Sequence, residues 1–296
     1  MLIEDILKQL YHVEYSGRAA SFNDMAGAMK IKDETLIDLL EKASELDLII
    51  DEEGTLKLTP QGEAYALRII RNHRLWEKYL SERTGIDKME WHSRAEKMEH
   101  RLNAEQVAEL DSELGNPRYD PHGDPIPTSK GEIINIDWKP ISGFKPGTVA
   151  RIVHIEDEPE VIYKQIAKKL HIGSQIKILE STDHNIQVFS EGKSYEFTPI
   201  VASNISAVQL KEQEIFEEKA TRLSQLKDGE KAKILGISSE CRGASRRRLL
   251  DLGFIPGTVI ESEFSSPMSN PKAYLIRNTL IALRNDQAEL VLIENL

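Results

Sequence analysis

Cysteine, long apolar runs and catalytic loops are all scarce in this chain of 296 residues. The lone cysteine, Cys241, leaves no internal disulfide and fits a reducing compartment. No apolar run approaches the roughly 20 residues a membrane span needs. The start, MLIEDILKQLYHVE, is amphipathic and acid-bearing, unlike a signal peptide. There is no G-x-S-x-G elbow, no Walker loop and no Gly-rich dinucleotide turn, and Cys241 has no evident base, so the chain reads as a non-enzyme. Basic residues are short too: 38 Lys and Arg face 49 Asp and Glu, a net charge of −11. That excludes a general nucleic-acid coat while permitting a local basic patch. With 40% hydrophobic and 29% charged residues, the expectation is a cytoplasmic globular protein of several small domains.

The pattern along the chain predicts a multidomain α+β protein. Ile3, Ile6, Leu7, Leu10 and Tyr11 recur at helical spacing. SFNDMAGAMKI (21–31) reads as a short helix starting at a serine cap, and KDETLIDLLEKASELDLII (32–50) as a longer one. DEEGTLKLTPQG (51–62) follows as a hairpin, giving the order of a winged helix-turn-helix over 1–70. A long helix from about Glu63 to Thr84 runs into a helical region over 71–140, with a second helix over about 92–101 and a third near Ala104 to Leu114. GNPRYDPHGDPIPTSKG (115–131) is too rich in Pro and Gly for regular structure. The rest repeats at about eighty residues, with Gly147 and Gly173 answering Gly229 and Gly257. This predicts two small SH3-like barrels, 141–212 and 222–296, joined by a charged helical linker near 211–223.

WHSRAEKMEHRL (91–102) raises the functional question. On a helix, His92, Glu96, Glu99 and His100 fall at about 0°, 40°, −20° and 80°, one face. His73 and Glu77 share a face of the preceding helix. Imidazoles and carboxylates together suit Mn²⁺, Fe²⁺ or Zn²⁺, and the lack of a nearby thiolate favours manganese or ferrous iron. The bland alternative is a solvated surface in which some of these acids pair with Arg74 or Arg94. The two histidines of 91–102 are eight apart, so this is not the H-E-x-x-H helix of zinc proteases. Trp76 and Trp91 read as core or dimer interface, and His122 as structural. Arg242 and Arg246–Arg248 form the strongest basic cluster, either a solvated helix face or an anionic or protein contact.

NHRLWEKYL, WHSRAEKMEHRL and GNPRYDPHGDPIP resemble the diphtheria toxin repressor and manganese transport regulator family, and the C-terminal repeats look like FeoA domains. The resemblance implies a homodimer whose winged helix binds operator DNA and whose helical domain holds divalent metal. His73, Glu77, His92, Glu99 and His100 match the family's ligands directly. Glu96 stands where the family has Cys or Glu, and Asp5 where it has Asp or Met. Glu158 aligns, through HIGSQI, with a barrel carboxylate of the family's ancillary site. Lys8 replaces a second acid of the manganese regulators.

One stretch runs against DNA binding. From Ala20 to Pro60 four lysines face ten acids, a net of −6, where a reading helix must approach phosphates. The candidate DNA contacts there are Lys32, Thr35, Lys42 and Lys57. Two functions follow. One is a Mn²⁺- or Fe²⁺-dependent transcriptional repressor of metal-uptake genes. The other is a metal sensor of the same fold that acts through protein contacts, for example with a metal transporter.

Overall fold

The structure, a computed structural model, describes residues 2–134, 137–211, 220–265 and 270–296. Most of the expected linker helix, residues 212–219, lies outside the described residues. The chain divides into two compact units, Met1–Leu80 with Gly85–Asn135, and Ser81–Thr84 with Ile136–Leu296. The first mixes helices with a small sheet; the second is mostly β. Among the described residues no helix is long and apolar enough to cross a membrane.

In the first unit, α1 (Leu2–Tyr15) buries Ile6, Leu7, Leu10 and Val13, the spacing of a single helix face. Strand β1 (Ala20–Ser21) leads into α2 (Phe22–Met29), whose start is a reciprocal capping box. The Asp24 amide donates to Ser21 Oγ at 3.2 Å, and the Ser21 amide donates to Asp24 at 2.9 Å. Helix α3 (Asp33–Glu45) turns Leu36 and Ala43 inward and leaves Asp33, Glu34, Asp38, Glu41 and Glu45 exposed. β2 (Ile49–Glu52) and β3 (Thr55–Leu58) pair through the two-residue turn Glu53–Gly54, both at positive φ, which matches the twist of the strands. The sheet order is β1-β3-β2.

Thr59 ends the hairpin and starts α4 (Pro60–Arg83): its hydroxyl accepts from the Gly62 amide at 3.0 Å and donates to the Asp47 carbonyl at 2.6 Å. Gly62 is obligatory in this corner, because a Cβ there would lie 1.8 Å from the Leu48 carbonyl oxygen. α5 (Trp91–Met98) is shorter than the 92–101 expected from sequence, so Glu99 and His100 lie on the turn beyond it. α6 (Ala104–Glu113) follows, and Leu75, Val107, Leu110 and Ile126 form the local core. The Pro-rich stretch is irregular, as its composition predicts, yet pinned. Arg71 donates to the Pro127 carbonyl and to Asp111, both at 2.6 Å, and Arg74 donates to the Pro125 carbonyl at 2.6 Å and to Asp124 at 3.2 Å.

The second unit holds two six-stranded antiparallel sheets of identical order. The first contains β4 (Lys139–Pro140), β5 (Val149–Ile155), β6 (Gln175–Ser181), β7 (Ile186–Ser190), β8 (Lys193–Phe197) and β9 (Ile205–Gln209), with α7 (Glu160–Ile166) and α8 (Pro199–Ala202) between strands. The second contains β10 (Thr221–Arg222), β11 (Lys231–Ile237), β12 (Val259–Ser265), β13 (Lys272–Ile276), β14 (Thr279–Leu283) and β15 (Val291–Asn295), with α9 (Gly243–Asp251) and α10 (Asn285–Ala288). Their orders, β4-β9-β5-β6-β7-β8 and β10-β15-β11-β12-β13-β14, are the same path walked twice. The glycines singled out by the repeat make matching bonds. Gly147 and Gly229 donate to Ile178 and Ser262 at 2.8 and 2.6 Å, and Gly173 and Gly257 donate to Ile152 and Ile234 at 2.8 and 2.7 Å.

A buried carboxylate joins the two sheets. Glu191, in the β7–β8 turn, accepts from Ser174 at 2.9 Å, from Arg222 at 2.6 Å and from Ser238 at 2.7 Å. Burial pushes this carboxyl up, but the Ser238 hydroxyl and the Arg222 charge hold it below its usual range. Cys241 is buried in the apolar core of the second sheet.

Two substitutions test these constraints in chemical denaturation. Gly62→Ala forces a backbone shift and costs about 3 kcal/mol, the upper end of ordinary overpacking. Glu191→Ala strands a buried Arg222 and costs about 3–5 kcal/mol. The Glu191 contribution is present above the unfolded carboxylate pKa and is lost as pH falls through the lower folded value.

Candidate metal centre

Helix α4 presents His73 and Glu77 one turn apart, toward α5 on one side and the Pro-rich stretch on another. The result is a line of acids and imidazoles rather than one compact site. His73 Nε2 lies 3.3 Å from Glu77 Oε1, and His92 Nδ1 lies 3.6 Å from the same oxygen. His92 Nε2 continues to Glu96 Oε1 at 3.5 Å. The other face of His73 reaches Glu99, through Nδ1 to Oε2. Glu99 Oε1 lies 3.4 Å from His100 Nε2, which is 3.0 Å from Asp5 Oδ1 on α1. His100 Nδ1 meets Glu4 at 2.6 Å, and Tyr65 donates to Glu4 at 2.7 Å.

Among the described residues, three groups each gather ligand atoms within 4.8 Å of one another: His73–Glu77–His92, Asp5–Glu99–His100 and Glu77–Asp120–His122. The face expected from 91–102 is therefore divided. His92 and Glu96 belong with Glu77, while Glu99 and His100, beyond the end of α5, belong with α1. Arg94 pairs with Glu90 at 2.6 Å rather than with these groups, while Arg74 holds Asp124 and from there its charge partly offsets the rise of the Asp120 carboxyl. Glu158 lies exposed in the second unit, in the loop before α7, and is in none of the three groups.

The third group is the one that the sequence did not reveal. His122, read there as structural, has Nδ1 3.5 Å from Glu77 Oε2. Asp120 accepts the His122 and Asp124 amides at 2.8 and 2.9 Å, so the D-P-H-G-D turn is folded around its own carboxylate. The available signal was an acid and a histidine two apart in a Pro-Gly loop. Asn72 was also missed; it donates to the Glu99 carbonyl at 3.0 Å and fixes the chain where α5 ends.

Electrostatics follow burial. Glu77 and Glu99 are 1% and 0% exposed. Burial pushes both carboxyls up, yet His73 and His122 hold Glu77 well below the usual range, and His73 and Lys8 hold Glu99 below it. Burial lowers His73, but Glu77 and Glu99 raise it further, so it is favoured as a cation. The His92 hydrogen bond brings Glu96 down to about 2. Asp5 is raised by burial. Asp120 is raised to about 7 by burial and by repulsion from Asp124 and Glu77.

The donor set fits a divalent ion of borderline hardness, with imidazole nitrogen and carboxylate oxygen and no thiolate. One atom carries the fit: Glu77 Oε1 is buried and accepts no hydrogen bond among the described residues, although two imidazole nitrogens stand beside it. Native buried acceptors are normally satisfied. This oxygen has the environment of a ligand.

Comparisons with known proteins bear on the region as a whole. Residues 59–128 match the family described as iron dependent repressor, metal binding and dimerisation domain, and residues 221–295 match the FeoA domain. A probable metal transport system membrane protein of Chlamydia trachomatis is 42% identical over 80 residues, 27% of this chain and 18% of that one. The iron-dependent repressor IdeR of Mycobacterium tuberculosis is 38% identical over 126 residues, 42% of this chain and 52% of that one. The chain thus spans about half or less of these two relatives. A solved manganese-dependent transcriptional repressor in complex with manganese aligns with a TM-score of 0.64 and 25% identity, over 70% of this chain and 99% of that one.

The raised Asp120 carboxyl makes a pH prediction. Between the unfolded carboxylate value, about 3.9, and about 7, the metal-free folded state holds the extra proton, so this group's contribution to stability falls as pH rises. A cation at Glu77–Asp120–His122 displaces that proton, so Mn²⁺ affinity falls as pH drops from about 8 to about 6. Calorimetry at about pH 6 in two buffers of different ionisation enthalpy reads the released proton, and Asp120→Asn reduces the release by nearly one per ion.

Proposed function

We propose that this relative of the iron- and manganese-dependent repressors is a metal-activated transcriptional regulator that represses metal-uptake genes. The observation that carries the reading is the Asp5–Glu99–His100 group, which takes one ligand from α1 and two from the turn after α5. In this reading residues 1–70 are a winged helix-turn-helix and 71–140 a metal-binding dimerisation domain. Residues 141–212 and 222–296 are two SH3-like, FeoA-type barrels, and the protein works as a cytoplasmic homodimer without catalysis.

Asp5, Glu99 and His100 would hold one Mn²⁺ or Fe²⁺, and His73, Glu77 and His92, with Glu96 beside them, another. Asp120 and His122 offer Glu77 a further partner set, and Zn²⁺ suits the same donors. Glu158 is proposed as an ancillary ligand on the family resemblance alone. When bound, the cation supplies positive charge that relieves repulsion between the buried carboxylates. Asp5 then stays against His100, which holds α1, and with it the α1–α3 core, in one pose. Metal binding to the folded state also raises its stability by mass action.

Lys32, Thr35 and Lys42 on or capping α3, and Lys57 on β3, are all exposed and are the proposed DNA contacts. Lys57 pairs with Glu52 at 2.5 Å, a bond that must open for it to reach a phosphate. The exposed acids of α3 favour a second reading, in which the sensor acts on a protein such as a metal transporter.

Fluorescence anisotropy with genomic DNA fragments decides between them. The repressor reading expects binding that requires Mn²⁺ or Fe²⁺ and weakens steeply with salt. Asp5→Ala raises the metal concentration required by about tenfold or more. Metal binding by calorimetry with no DNA binding at low salt would assign the output to protein contacts.

A further inference from the structure

Lys8 sits three residues after Asp5 on α1, so both side chains leave the same side of the helix. Its ammonium donates to both oxygens of Glu99, at 2.9 and 3.1 Å. Glu99 is fully buried, and the Lys8 side chain keeps only 18% of its exposure. Both oxygens of the deepest carboxylate in the centre are therefore already met by a positive charge fixed to the chain. Glu99 Oε1, which takes the shorter of these bonds, is also the oxygen 3.4 Å from His100 Nε2 in the Asp5–Glu99–His100 group.

Two consequences follow from one ammonium. Without metal, it bridges α1 to the turn after α5, the connection that a cation at Asp5–Glu99–His100 would make. With metal, an ion at that group shares Glu99 with the ammonium, and like charges on one carboxylate in a low-dielectric setting repel strongly. The geometry points to Lys8 as a built-in cation that sets the metal requirement of this group. It holds α1 in place in the metal-free protein and raises the free metal concentration needed to fill the site. The groups centred on Glu77 then fill first, and Asp5–Glu99–His100 fills last. This inference rests on the metal-sensing reading above and adds the residue that sets its threshold.

The test uses the full chain, stripped with chelator, and compares wild type with Lys8→Met, Lys8→Gln and Lys8→Arg. Methionine keeps most of the stem without the charge, glutamine keeps a donor without the charge, and arginine keeps the charge. Calorimetric titration with Mn²⁺ is expected to show about tenfold or greater tightening of the weakest site in Lys8→Met and Lys8→Gln. Lys8→Arg stays near wild type. The gain disappears when Asp5→Ala is added, which places it at this group. Thermal melting gives an independent readout: metal-free Lys8→Met melts below wild type, and saturating Mn²⁺ raises it by more. Glu77→Ala is titrated alongside as a check on the underlying reading.

The outcomes separate. If wild type binds Mn²⁺ and Glu77→Ala weakens that binding, but the uncharged Lys8 variants bind no tighter, the threshold role is overturned while the sensor reading stands. If metal-free Lys8→Met melts like wild type, the latch role is overturned. If neither wild type nor the Lys8 variants bind Mn²⁺, the sensor reading and this inference fall together.

Discussion

Two carboxylates, Glu77 and Glu99, are buried in a helical layer with almost no access to water, and the rest of the first unit is arranged around that fact. A buried, uncompensated carboxylate costs several kcal/mol, so such groups persist only where positive charge or donors surround them. His73 stands between the two and touches both. Lys8 comes from α1 to Glu99, while His92 from α5 and His122 from the Pro-rich turn approach Glu77. Four separate stretches of chain converge because two acids must be neutralised.

That convergence couples chemistry to shape. In the proposed reading, a cation at the group drawn from α1 and the turn after α5 would change how firmly those elements are joined. A ligand shifts such an equilibrium only by its differential affinity for the two states. In that reading the difference would come from positive charge beside Asp5 and Glu99, two acids that otherwise repel each other. The Pro-rich turn belongs to the same device. It has no regular structure, yet Arg71 and Arg74 occupy its carbonyls and Asp120 folds its own backbone, which delivers His122 to Glu77.

The second unit follows a different logic. Its two sheets repeat one path, and the matching glycines recur because each adopts positive φ while donating across a strand crossing that a side chain would strain. The contact between the sheets is no copy of anything in the repeat. Glu191 gathers Ser174 from its own sheet and Arg222 and Ser238 from the other, the same kind of buried carboxylate solution found in the first unit.

Much of this was legible along the chain. Ser21 and the Glu53–Gly54 turn are local devices, so sequence alone located α2 and the hairpin, whereas α4, expected from about Glu63, starts at Pro60 because Thr59 caps it from what reads as the end of the hairpin. The repeat was visible in its matching glycines, and His73, Glu77, His92, Glu99 and His100 stood out by residue type and close spacing. The division of WHSRAEKMEHRL was not visible. Helical spacing puts Glu99 and His100 on the His92 face but about two turns away. The contacts that give them other partners, the Asn72 bond to the Glu99 carbonyl and the approach of Lys8 and Asp5, act across dozens of residues.

The sequence by itself determined which elements form and which atoms are available to a cation, since both depend on periodicity, caps and residue type. Only the tertiary structure decided the grouping: His122 with Glu77, Glu99 with α1, and Lys8 on both oxygens of Glu99. Those choices are made by long-range electrostatics, because a buried charge takes whichever partner the packing brings within reach, and spacing along the chain does not record that distance.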